Sequence, residues 1–292
     1  MIRRYLHALV VSCGMLLAIP LNQAGATEQS YRDLLDTLRD NGTLDLVQYY
    51  DLVDALDETD TSHEETEGGP GLGGRLMVDL AKYNEDEVDL GDGTELRQAR
   101  LGLEGSFDSA WGYELGVEFA EGDADVKDAY ISYQGFERAR LQIGQFKEPF
   151  GLEVLTSSGS ITFMERALVS ELVPGRHIGV GLATHGKGWS LAGGLFGGAF
   201  DDDSDDEGDE AWGLSARVTA APWRKKRKTL HFGAAVSTRS PDDEREISFD
   251  TGPESNLTDV SYLDTDDIDD VDQVDRYGLE AALVLGSWSI QT

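Results

Sequence analysis

The feature that most constrains the fold is a two-residue alternation of apolar and polar side chains that recurs along the chain. It is clearest at 113–119, where apolar residues alternate with two glutamates and a glycine, and it recurs at 99–107, 128–133 and 140–143. Because successive side chains of a β-strand point to opposite faces, each segment predicts a strand with one apolar and one polar face. The repeat indicates an all-β protein, either an antiparallel transmembrane β-barrel or a soluble sandwich.

The same pattern, followed along the whole chain, predicts ten complete strands and the beginning of an eleventh. The complete strands are placed near 74–83, 95–107, 112–120, 126–134, 139–147, 177–185, 189–199, 211–221, 229–239 and 274–285. The incomplete strand begins at Ser287. A barrel of even strand number cannot close with this set, so we expect the sequence to be truncated at its C-terminus.

The lengths of the connections favour the barrel over the sandwich. Short turns are predicted around Ser109, Phe136, Gly186, Lys226 and Ser287. They alternate with long or acidic connections at 84–94, 121–125, 148–176, 200–210 and 240–273, all of which fall on one side. Outer-membrane barrels combine short periplasmic turns with longer outer loops, whereas a sandwich has no reason to sort its loops in this way.

The first 26 residues have the features of a secretory signal. Arg3 and Arg4 form a basic start, 8–21 is mostly apolar, and 24–26 reads Ala-Gly-Ala, a typical cleavage site. The alternative is an uncleaved membrane anchor. The only cysteine, Cys13, lies in this segment, so no disulfide is expected in the exported chain.

A short helical segment is predicted to follow the signal. Apolar residues at helical spacing within 27–57 indicate a helical hairpin, which would pack either on copies of itself or on its own barrel. The acidic and Gly-rich stretch 58–73 is interpreted as a linker. The barrel would then occupy 74–292.

The charge of the chain excludes one class of partner. With 24 Lys and Arg against 56 Asp and Glu, the formal net charge is −32, and a surface this acidic would repel nucleic acid. The run 203–208 imitates the start of a calcium loop, but position 12 of that loop would be Leu214 and no helices flank it. We therefore expect no metal site and no cofactor.

A series of motifs identifies a family resemblance. The segment 143–153 reads Ile-Gly-Gln-Phe-Lys-Glu-Pro-Phe-Gly-Leu-Glu, and it is followed by Ser157-Ser158, by Met164-Glu165-Arg166 and by Arg176-His177-Ile178-Gly179-Val180. In this combination the chain resembles the phosphate-selective porin O and P family. The resemblance implies a homotrimeric, 16-stranded outer-membrane barrel, of which this chain would hold roughly the first two-thirds.

The connection 148–176 is the candidate constriction of the pore. It contains Phe150, Leu152, Ile161 and Phe163 and is too apolar to extend into water, so we expect it to fold inward. In the family that the chain resembles, this loop and basic residues on the neighbouring walls bind the anion. The candidates here are Arg100, Arg140, Lys147, Arg166 and Arg176.

Each candidate has a simpler alternative role, which is to pair with a carboxylate of the wall. Arg166 adjoins Glu165, and Lys147 adjoins Glu148. Arg100 faces a predicted strand that carries Glu114 and Glu118. The sequence leaves both roles open for every candidate.

The function that follows is that of an outer-membrane porin for passive diffusion of small hydrophilic anions such as phosphate. The expected partners are membrane lipid, small anionic solutes and two further copies of the chain. One alternative is a general or cation-preferring pore of the same fold. Another is an exported β-rich adhesion or calcium-binding protein that never spans a membrane. No hydrolase, metalloprotease or phosphate-loop motif is present, so no enzyme activity is expected.

Overall fold

The strands of the protein follow one another as a meander. The computed structural model describes residues 70–292 apart from 85–87, 89, 121, 201–210, 226, 227, 243, 244, 254 and 259. The predicted signal, the predicted helical hairpin, most of the predicted linker and the acidic run considered for calcium lie outside the described residues.

The described residues form thirteen strands and two short helices. The strands are β1 Gly71–Ala81, β2 Gly93–Asp108, β3 Trp111–Glu118, β4 Asp125–Phe136, β5 Ala139–Lys147, β6 Arg176–Gly186, β7 Trp189–Phe196, β8 Trp212–Lys225, β9 Lys228–Ser240, β10 Asp250–Thr251, β11 Leu263–Asp264, β12 Val274–Leu285 and β13 Trp288–Gln291. Between β5 and β6 lie a one-turn helix, α1 Leu152–Leu155, and a 3₁₀ helix, Leu168–Leu172. None of the helices in the described ranges is long or apolar enough to cross a membrane.

Eleven of the strands form one antiparallel sheet in the order β1 to β9, β12, β13. The all-β prediction is confirmed, and most strand bounds agree within about two residues. Within the described residues β1 and β13 each have one neighbour, so the sheet is open there. The strands β10 and β11 were not predicted and form a separate hairpin inside the connection 241–273.

The first strand begins at Gly71, inside the stretch that the sequence suggested as a linker. Its partner β2 is sixteen residues long, and Gly71 to Gly74 pair with Glu104 to Leu101 of that strand. The long partner therefore provides backbone hydrogen-bonding groups that extend β1 beyond its alternating segment.

The connections have the predicted asymmetry. At one end of the sheet, consecutive strands are joined by two residues, at 109–110, 137–138, 187–188, 226–227 and 286–287. At the other end the connections are 82–92, 119–124, 148–175, 197–211 and 241–273. We call 148–175 the crossing loop, for the path described below.

The two faces of the sheet differ sharply. The exposed face carries the apolar members of the alternation, which on β1, β6 and β12 include Leu72, Leu76, Val78, Leu80, Ile178, Val180, Leu182, Tyr277 and Leu279. The exposed fraction reaches 88% at Leu279, whereas Ser132, Ser215 and Ser237 on the opposite face are buried. A soluble domain buries its apolar strand face, so this inverted arrangement suits a sheet whose outer face contacts lipid.

The polar face is concave and encloses the crossing loop. Phe150 of that loop packs on Gly278 of β12, where an added Cβ would lie 2.9 Å from the phenyl ring. Seven residues later, Ser157 accepts a 2.9 Å hydrogen bond from Arg75 of β1. Seven residues span at most about 25 Å, whereas the nine inter-strand steps from β1 to β12 would cover about 43 Å on a flat sheet. The sheet therefore curves around the loop, and we call its polar face the inner face.

Candidate functional site

The crossing loop starts from a buried carboxylate. Glu148 is fully buried, and its Oε1 lies 2.6 Å from an Arg239 nitrogen and 2.8 Å from Nδ1 of His177. The hydroxyl of Ser215 donates to Oε2. Burial alone would raise the pKa of Glu148, but the hydrogen bonds from His177, Ser215 and Arg239 hold this pKa below its ordinary value. The carboxylate is therefore ionised, and it fastens the start of the loop to β6, β8 and β9.

The middle of the loop is fastened to the first two strands. Arg75 donates hydrogen bonds of 2.9 and 2.8 Å to the hydroxyls of Ser157 and Ser158. Ser158 in turn donates to the amide oxygen of Gln98 at 3.1 Å. A Cβ at the exposed Gly159 would lie 2.9 Å from Cζ of Arg75, so the guanidinium lies directly against the loop backbone.

The later part of the loop is held at two further points. Arg97 of β2 binds both carboxylate oxygens of Glu165, with nitrogen to oxygen distances of 2.5 and 2.7 Å. From the other side, Arg276 of β12 donates to the carbonyl of Leu172 at 2.8 Å. The loop thus lies across the inner face of the sheet, with contacts to β1, β2 and β12.

Two of the five predicted cations are paired with carboxylates. Arg100 lies 3.2 Å from Oε2 of Glu118, one of the two glutamates that the sequence suggested as its ion-pair partners. Arg176 binds both oxygens of Asp128, at 3.0 and 2.9 Å. Pairing does not remove these arginines from the inner face, but it balances their charge.

Two others, Lys147 and Arg166, form no ion pair within the described part of the chain. Lys147 donates to the carbonyl of Val154. Arg166 donates to the carbonyls of Glu153 and Thr156 at 3.0 and 2.7 Å. Both side chains therefore converge on α1 and the residue after it, where backbone carbonyls attract cations.

Charges of both signs act on Arg166. Burial lowers the pKa of its guanidinium; the charges of Glu165 and Glu153 oppose that effect, and the charges of Arg176 and Arg97 add to it. Arginine nevertheless stays protonated at any working pH. Lys147 lies opposite Arg176 in the β5–β6 ladder. The charges of Arg176, Arg166 and Arg100 act on it, and that of Asp128 opposes them.

The fifth predicted residue, Arg140, lies elsewhere. It precedes Lys147 by seven positions in β5, which is about 23 Å along a strand. It lies near the short-turn end, where it donates to the Tyr130 hydroxyl at 3.1 Å and covers the Tyr130 ring. Tyr130 donates to Glu114. Arg140 is thus separate from the group formed by the other four.

Sequence reasoning missed Arg75, which completes this group. The charges of Arg100, Glu118 and Arg166 act on it, and it forms no ion pair among the described residues. The sequence does contain a signal for Arg75, because the alternation in β1 places it on the polar face. In the structure it lies opposite Arg100. We call Arg75, Arg100, Lys147, Arg166 and Arg176 the cation cluster. No group of three metal-ligating side chains occurs in the ranges that the structure describes.

Comparison with known proteins gives a family and two relatives. The sequence model of phosphate-selective porin O and P matches residues 71–292. A protein of Caulobacter vibrioides described as uncharacterized is 30% identical over 235 residues, which cover 74% of this chain and 46% of that protein. Porin O of Pseudomonas aeruginosa is 26% identical over 183 residues, covering 59% of this chain and 42% of that protein. The chain thus spans less than half the length of either relative.

Proposed function

The chain belongs to the phosphate-selective porin O and P family, and from that premise we propose that it forms an outer-membrane pore for small hydrophilic anions such as phosphate. The observation that carries the proposal is the pair Lys147 and Arg166, which form no ion pair among the described residues although each adjoins a glutamate. Both lie on the crossing loop or at its base, so a solute that passes the loop passes their charges.

The chemistry of the cation cluster suits an oxyanion. A guanidinium carries five N–H donors in a fixed plane, of which Arg166 uses two for the carbonyls of Glu153 and Thr156. An ammonium such as that of Lys147 adds a compact charge. Charge-assisted hydrogen bonds of this kind are stronger than neutral ones, and a narrow, water-poor passage strengthens them further.

A second candidate is a general or cation-preferring pore, which the outer loops favour. The connection 241–273 carries exposed aspartates, including Asp266, Asp267, Asp269, Asp270 and Asp272. At an ionic strength of about 0.15 M the Debye length is about 8 Å, so charges on an open rim act over a short range, whereas buried charges are screened much less. We therefore assign selectivity to the cation cluster.

Export through the N-terminal signal and assembly as a homotrimer complete the proposal. The exposed apolar outer face supports a membrane location over an exported protein that never enters a bilayer. The family premise supports a channel over an enzyme.

The test uses the full-length protein, reconstituted in planar bilayers under a KCl gradient, with the reversal potential as readout. We expect anion preference and a conductance that phosphate reduces. Lys147→Gln and Arg166→Gln should each weaken both effects. The matched controls Lys187→Gln and Arg138→Gln change exposed cations in two short turns and should leave both unchanged. Cation preference that fades with added salt would instead support the acidic loops as the selectivity element.

A further inference from the structure

Two arginines of the wall bind the carboxylates that adjoin the unpaired cations. We propose that Arg97 and Arg239 are positioning residues: by binding Glu165 and Glu148, they keep Arg166 and Lys147 out of ion pairs with these acids. The inference rests on the proposed function, because it concerns what makes the same site attractive to anions.

The first arrangement joins Arg97 to Glu165. Glu165 precedes Arg166 in the chain, yet Arg97 of β2 engages both of its oxygens, at 2.5 and 2.7 Å. The two side chains are 20% and 17% exposed, so the pair is largely shielded from water. A bidentate pair of this kind fixes the carboxylate in place. Arg166 is left to donate to the carbonyls of the loop.

The second arrangement joins Arg239 to Glu148. Glu148 follows Lys147, and its oxygens are taken by Arg239 of β9 at 2.6 Å, by His177 at 2.8 Å and by the hydroxyl of Ser215. The carboxylate is fully buried. Lys147 points instead to the carbonyl of Val154.

The two arrangements have the same outcome. In each, the acid binds an arginine of the wall, whereas the base next to it in the sequence donates to carbonyls of the crossing loop. Without Arg97, Glu165 would lose the ion-pair partner that the structure shows. Without Arg239, Glu148 would keep His177 and Ser215 but lose its arginine. Loss of a charged partner from a shielded carboxylate is costly. The cation next to it in the sequence is then the nearest replacement, and the site would lose that charge.

The experiment is a double-mutant cycle on phosphate block of conductance in the full-length porin. Arg97→Gln should weaken the block about fivefold in the wild-type background. In an Arg166→Gln background it should change the block little, because Arg97 acts through the availability of Arg166. In a Lys147→Gln background, the matched control, it should keep its full effect. The corresponding cycle pairs Arg239→Gln with Lys147→Gln and uses Arg166→Gln as control.

Equal fold-changes from Arg97→Gln in the Arg166→Gln and wild-type backgrounds would overturn the inference, because Arg97 would then act by its own charge. Heat-modifiable gel migration shows whether each variant folds. If Arg239→Gln does not fold, the Arg97 cycle decides alone, since the Arg97–Glu165 pair is more exposed than the Arg239–Glu148 pair. The proposed function fails separately, if Lys147→Gln and Arg166→Gln leave selectivity unchanged.

Discussion

Arg75 of β1 and Arg100 of β2 lie directly opposite each other in the β1–β2 ladder, although like charges in such positions repel. Arg100 is also opposite Glu118 of β3 and pairs with it at 3.2 Å. Arg75 turns to the hydroxyls of Ser157 and Ser158. This row of three residues, one on each strand, therefore carries two positive charges and one negative charge. The excess positive charge, that of Arg75, lies against the crossing loop.

Gly159→Ala tests the placement of the Arg75 guanidinium. The added Cβ would lie 2.9 Å from Cζ of Arg75, closer than carbon atoms pack, so the guanidinium must move away from Ser157 and Ser158. We expect phosphate block to weaken by about fivefold, because a shift of this charge by a few ångströms is worth about 1 kcal/mol. Gly175→Ala is the control, since its Cβ would meet nothing within 4 Å in the same loop. Identical block constants for the two variants would contradict the placement.

Phe150→Ala tests how the crossing loop is held on the far wall. Phe150 is 5% exposed and packs on Gly278, so its removal leaves a cavity and should lower the free energy of unfolding by about 3–4 kcal/mol. We also expect larger current fluctuations, because the loop loses its apolar contact with β12. The readouts are urea unfolding and single-channel noise. Phe163→Ala removes the same side chain from the same loop where it is 78% exposed, and it should change neither.

Acid should weaken the anchor at Glu148. Burial raises the pKa of this carboxyl, but its hydrogen bonds with His177, Ser215 and Arg239 prevail and keep it below the usual 4.5. A folded-state pKa below the unfolded one means that the stabilisation is present above the unfolded pKa and is lost as pH falls through the folded value.

Thermal unfolding between pH 7 and about pH 2 measures this effect. Glu148→Gln should be less stable than wild type at neutral pH, and its unfolding temperature should fall less on acidification. Parallel curves for the two proteins would show that Glu148 does not contribute to acid lability.

The strands were predictable from the sequence because side chains alternate between the two faces of a strand, and this alternation can be recognised within a few residues. The alternation at 113–119 places Glu114 and Glu118 on one side whatever the rest of the chain does. The hairpin β10–β11 was missed because its strands are two residues long and contain no alternation. The extension of β1 to Gly71 was missed because it depends on the length of its partner.

The cation cluster was only partly predictable. Motif position identified Lys147 and Arg166, but which acid pairs with which base depends on contacts between residues far apart in the chain. Glu165 and Arg97 are 68 residues apart, and Glu148 and Arg239 are 91 apart. Proximity in the sequence suggested that Arg166 would pair with Glu165 and Lys147 with Glu148. The curvature of the sheet instead brings Arg97 to Glu165 and Arg239 to Glu148.

The assignment of the outer face to lipid can be tested with a single charge. Leu182 lies in the middle of β6 and is 51% exposed on the apolar face. If that face meets the hydrocarbon core, Leu182→Arg should destabilise the protein folded in vesicles by about 2–4 kcal/mol, the usual cost of arginine near the bilayer midplane. Val169→Arg introduces the same side chain at a site 63% exposed on the crossing loop and should cost far less. Reversible urea titration in vesicles measures both, and equal costs would mean that β6 does not face lipid.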